Sequence, residues 1–81
     1  MYVSTIHSVS DPAAFWGGKL DLPEGTELVV VMPSEDGKRG VCVFKSDSVK
    51  TVRDIVDGAT AKVSKNEFFA INDGNAQGLP V

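Results

Sequence analysis

The sequence predicts an α+β fold with one four-stranded antiparallel sheet and two helices on one of its faces. Three observations carry this. Two β-branched runs, "LVVVM" at 28–32 and "VCVF" at 41–44, flank an Asp36-Gly37 pair of the kind that closes hairpins. A stretch with helical spacing, "SDSVKTVRDIVDGATA", follows the second run. A further short strand pattern stands at each end of the chain.

The first strand pattern is "YVSTIHSV" at 2–9, with the only histidine of the chain among serines and a threonine. "SDPAAFWGG" then reads as a short helix of about two turns. Asp11 suits the N-cap, Pro12 the first helical position, and Gly17-Gly18 the end. "KLDLPEGTE" is a loop punctuated by Pro23 and Gly25. The two β-branched runs pair antiparallel across "PSEDGKRG". In the long helix Val49, Val52, Val56 and Ala59 recur on one side with Ile55 beside them. Lys50, Thr51, Arg53, Asp54 and Asp57 fall on the other. Ser46 or Ser48 caps its start, and Gly58 frays or ends its last turn. "NEFFAI" at 66–71 is the fourth strand, and 72–81 is a turn-rich tail. The order β-α-β-β-α-β is the ferredoxin-like arrangement, and short connections give sheet order 4-1-3-2.

The chain of 81 residues makes one domain, 1–81, with a thin core: it buries only about 60% of the surface exposed on unfolding. A net charge of −3, with lysines and arginines scattered along the sequence, argues against nucleic acid. Cys42 is a lone cysteine with no metal spacing around it, which suits a reducing compartment. No basic segment followed by an apolar run opens the chain, and no apolar run is long enough to span a bilayer. A cytoplasmic protein without membrane contact is expected. No cofactor or metal is implied.

The strands carry apolar residues on both faces. The second offers Leu28, Val30 and Met32 to one side and Val29 and Val31 to the other; the third opposes Val41 and Val43 to Cys42 and Phe44; the fourth opposes Phe68 and Ala70 to Phe69 and Ile71. Two helices cover one face only. Half a dozen side chains at about 1.5–3 kcal/mol each would stand in water on the other. A second copy of the sheet is the expected cover, making a homodimer or a higher oligomer. The first strand divides into Val3, Thr5, His7 and Val9 on one side and Tyr2, Ser4, Ile6 and Ser8 on the other, with the helix-facing set undecided.

"IHSVSDPAAFWGG", with His7, Val9, Asp11 and Trp16, resembles the first strand and helix of small dimeric α+β barrel proteins, and the element order agrees along nearly the whole chain. That superfamily includes cofactor-independent monooxygenases of antibiotic biosynthesis, haem-binding members and stress-response proteins. The resemblance implies sheet-to-sheet pairing and a ligand held between sheet and helices. No complete catalytic set maps onto the chain.

The ligand-binding candidates are Thr5, His7, Trp16 and Phe44. His7 is a general base or hydrogen-bonding group for a ligand, or a structural histidine tied to a backbone carbonyl or Asp11. Trp16 walls a pocket or interface, or simply packs. Cys42, mid-strand with no base nearby, reads as a small buried hydrophobe. The Glu35-Asp36 pair belongs to a turn and Asp54 and Asp57 to a solvated helix face; "GGK" at 17–19 lacks the context of a phosphate loop. Asn75, Gln77 and Leu79 in the tail either reach over a partner subunit or fray. Two functions follow: a module binding a small apolar or aromatic molecule without catalysis, and, as the alternative, a monooxygenase-like enzyme using His7 on a small aromatic or polyketide-like substrate.

Overall fold

A computed structural model describes residues 1–79, so the last two residues of the expected tail lie outside the described part. The elements are β1 (Tyr2–Val9), α1 (Pro12–Gly17), β2 (Glu27–Pro33), β3 (Arg39–Lys45), α2 (Val49–Thr60) and β4 (Ser64–Ala70). They form one antiparallel sheet in the order β2-β3-β1-β4, with β1 at the centre. The ferredoxin-like α+β fold expected from the sequence is the fold observed. No helix among the described residues is long and apolar enough to cross a membrane.

Local chemistry sets the ends of each element. The Asp11 carboxylate accepts the Ala14 N–H at 3.2 Å and caps α1; Pro12 opens it and extended Gly18 closes it. Ser48 caps α2 by accepting the Thr51 N–H at 3.1 Å. Ser46 is occupied elsewhere, its backbone bonded to Met1 and its hydroxyl beside Thr26. Gly58 does not end α2, which runs on to Thr60; the expected terminator is an interior residue. The β2–β3 turn is closed by the Gly37 N–H on the Ser34 carbonyl at 2.9 Å, with Gly37 at φ 73°, where a side chain would be strained.

The core lies between the helices and one sheet face: Val3, Cys42, Phe44, Val52 and Val56, with Trp16, Leu20, Leu22, Val49 and Phe68 packed on it. The helix-facing set of β1 is therefore Val3, Thr5, His7 and Val9. In β2 the expected alternation fails. Leu28 pairs with Phe44 but Val30 pairs with Val43, so Val29 is an extra residue in a bulge. The bulge puts Leu28 and Val31 on the helix side and turns Val30 and Met32 to the opposite face.

That opposite face carries Tyr2, Ile6, Val30, Met32, Val41, Val43, Phe69 and Ile71, around Ser4. Neither helix touches it from above. Met32 is 53% and Phe69 48% exposed. Arg39, Lys45, Lys65 and Glu67 mark its margin.

Candidate functional site

The helix side is only partly filled. A cleft of about 410 Å³ opens between α1 with its following loop and α2. Its floor is Cys42, Phe44, Leu28 and Val31 of the sheet. One wall is Phe15, Trp16, Leu20 and Leu22; the other is Val56, Ala59, Thr60 and Val63. His7 closes the inner end, and Lys19 is the one charged residue on the lining. An apolar hollow with few polar groups is the usual form of a small-ligand site.

Of the four candidates from the sequence, His7, Trp16 and Phe44 line this cleft together. Thr5 stands behind it, fully buried and bonded to His7.

Trp16 is positioned by glycine. Its indole Nε1–H donates to the Gly37 carbonyl at 2.7 Å. Its six-membered ring lies on Gly40, where an added Cβ would meet Trp16 Cζ2 at 2.6 Å. Phe15 and Trp16 point apart on α1, yet both reach His7. Ring centroids lie 4.8 Å from His7 to Phe15, 6.1 Å from His7 to Trp16 and 4.5 Å between the two aromatics, the last pair edge to face.

His7 is 1% exposed and bonded to neither a backbone carbonyl nor Asp11, contrary to the structural alternative read from the sequence. Nδ1 lies 2.6 Å from Asn66 Oδ1, and Nε2 lies 2.9 Å from the Thr5 hydroxyl. Asn66 in turn donates through Nδ2 to Asp57 Oδ1 at 2.9 Å and to Thr60 Oγ1 at 3.1 Å. A carboxylate only accepts, so Asp57 fixes the amide with its oxygen toward the imidazole. Nδ1 must then carry the proton, and in the neutral ring Nε2 receives the Thr5 hydroxyl. Asp57, expected on a solvated helix face, is half-buried against β4 and anchors this chain.

Burial pushes the His7 pKa below its ordinary value; the Asn66 hydrogen bond and the Asp57 charge oppose this. Burial also pushes the Cys42 thiol up, with the Thr5 contact opposing. No group of His, Cys, Asp and Glu among the described residues could hold a metal ion.

Asn66 is the site residue that the sequence gives no reason to choose. It enters only through the register, in which it faces His7 across β1 and β4. Lys38, Lys62 and Lys65, scattered along the sequence, all line a second hollow near the C-terminal end of β1.

Comparison of the chain with protein-family models, with curated proteins and with solved structures finds no match.

Proposed function

We propose that the chain is a small binding module without catalysis, which holds a small apolar or aromatic molecule in the helix-side cleft and works as a homodimer. The observation that carries the reading is the cleft itself: about 410 Å³, apolar on floor and walls, with one buried imidazole at its end. Binding is favoured over the monooxygenase-like alternative by the state of His7. Both ring nitrogens are committed to Thr5 and Asn66, so no free lone pair is offered to a substrate proton. A general base would have to break the Thr5 contact first.

Trp16 is the only tryptophan and lines the cleft, so it reports occupancy. Naphthol at micromolar concentration is expected to quench its fluorescence saturably. Ala59→Phe, which fills the cleft from α2, is expected to abolish the quenching. Quenching that is absent, or equal in the variant, would sink the reading.

The dimer rests on the outer face. Four strands and seven residues give it about 19 Å by 24 Å, or about 450 Å² in flat projection. An apolar patch of a few hundred Å² is often functional. The occupant is a second copy because a two-fold axis matches this largely apolar face to itself, with Ser4 at its centre and its charges at the rim. Kinship with the dimeric α+β barrel proteins and a cytoplasmic location belong to the same reading, the latter favoured by the free Cys42. Sedimentation at micromolar concentration is expected to give twice 8.6 kDa, and Met32→Lys with Phe69→Lys to give the single mass. An 8.6 kDa species in the unaltered protein refutes the pairing.

A further inference from the structure

A second hollow, about 340 Å³, lies where β1 leaves the sheet and α2 hands over to β4. Its polar lining is Ser8, Ser10, Ser64, Lys38, Lys62 and Lys65, and no acidic residue lines it. Backbone bonds hold the three contributing segments together. The Val9 N–H donates to the Lys38 carbonyl at 2.7 Å and the Ser10 N–H to the Val63 carbonyl at 2.8 Å, while Lys65 faces Ser8 in the ladder. None of the three lysines is in an ion pair; the one ion pair among the described residues is Lys50–Asp54. Arg39 stands beside the group, opposite Ser8.

This clustering is not a by-product of a basic chain, because acids outnumber bases 11 to 8. No nearby acid lines the hollow, although the Asp36 charge acts on Lys38. Asp36 accepts the Lys38 backbone N–H, Asp11 caps α1, and Glu67 lies further along β4. The carbonyl end of α2 would repel an anion, but it is capped. The Thr60 carbonyl receives the Val63 N–H and the Ser64 hydroxyl, and the Val63 carbonyl receives the Ser10 N–H and hydroxyl. The Ser8 hydroxyl is left without a partner among the described residues and remains a free donor. With three lysines on one lining, an anion of more than one charge could be met from several sides.

We propose that this hollow binds a small soluble compound bearing two or more phosphoryl charges, such as a pyrophosphate or a nucleoside polyphosphate. Lysine holds tetrahedral oxyanions as a point charge with rotating donors. The site is concave and its apolar members are only Val9, which is buried, and the small Ala61, so it suits a soluble anion and not a membrane surface.

Titration calorimetry with pyrophosphate at low salt tests this. One saturable site per chain is expected, weakening as salt screens the charges. Lys62→Gln with Lys65→Gln is expected to weaken it by about tenfold, from two exposed charge pairs. Lys45→Gln with Lys50→Gln, far from the hollow, is expected to leave it unchanged. Circular dichroism confirms that each variant is folded. The proposal is overturned by absent saturation at millimolar pyrophosphate, by equal losses in both double variants, or by retention on phosphatidic acid vesicles that pyrophosphate does not displace.

Discussion

Gly40→Ala is expected to be among the most damaging single changes of one methyl group. The methyl group would stand 2.6 Å from Trp16 Cζ2 and 3.2 Å from the Met32 carbonyl oxygen. The carbonyl belongs to the paired strand and cannot move without breaking the ladder, so the indole must. Overpacking of this kind costs about 1–3 kcal/mol. If the indole lifts, its 2.7 Å bond to the Gly37 carbonyl is lost as well, at about 0.5–1.5 kcal/mol. The sum, about 2–4 kcal/mol, is a large share of what so small a core supplies. For a domain of this length it lowers Tm by roughly 10–20 °C. Thermal melting followed by circular dichroism, with Trp16 emission recorded at each temperature, measures both consequences. Emission should shift to the red as the ring leaves the sheet. A melt within about 0.5 kcal/mol of the unaltered protein, with unchanged emission, would show that the indole does not rest on Gly40.

Gly58→Ala is expected to act in the opposite direction. Gly58 is interior to α2 with nothing within 4 Å of an added Cβ, so the variant should gain about 0.5–1 kcal/mol in urea unfolding, and a loss would refute the open environment. Asn66→Ala strands the imidazole Nδ1–H and leaves Asp57 unpaired, so a loss of about 1–3 kcal/mol per stranded group is expected in the same assay, and no loss would count against the chain of bonds. His7 titrates below its unfolded value near pH 6.5, so the unfolded chain binds the extra proton between the two values. The stability it contributes is complete above that pH and is lost as pH falls through the folded value. As the only histidine, it gives one ring resonance by nuclear magnetic resonance, and a midpoint at or above 6.5 would refute the burial argument.

Sequence signals match the structure where their cause is local. Asp11 and Pro12 start α1 by their own chemistry, and Asp36-Gly37 forms its turn within four residues. The valines of α2 face the core because a helix has one period whatever surrounds it. The features that escaped depend on distant residues. The bulge at Val29 reverses the faces of β2, and no residue in "LVVVM" announces it. Ser48, and not Ser46, caps α2 because Ser46 is drawn to Met1 and Thr26, both more than 19 positions away. Helical period alone places Asp57 in water, but α2 leans on β4, so its flank is half-buried. Asn66 lies 59 positions from the histidine it binds. The candidate site was legible in its aromatic wall and its imidazole, and illegible in the polar chain that holds the imidazole still.

That polar chain explains why a titratable ring is tolerated at the centre of the sheet. Thr5 has one hydroxyl proton and two acceptors within reach, His7 Nε2 at 2.9 Å and the Cys42 carbonyl at 3.2 Å. With the ring neutral, the proton goes to Nε2. With the ring charged, Nε2–H donates to the Thr5 oxygen, whose proton then turns to the Cys42 carbonyl. Asn66 accepts from Nδ1 in both states. No buried side-chain nitrogen or oxygen among the described residues lacks a partner. The cost of charging His7 is therefore desolvation and not a lost hydrogen bond, in keeping with burial as the largest influence on its pKa. A histidine satisfied in both forms is poorly placed to take a proton from a substrate, since the substrate would have to displace Thr5. It is a fixed, hydrogen-bonded part of the inner end of the cleft, beside Phe15 and Trp16.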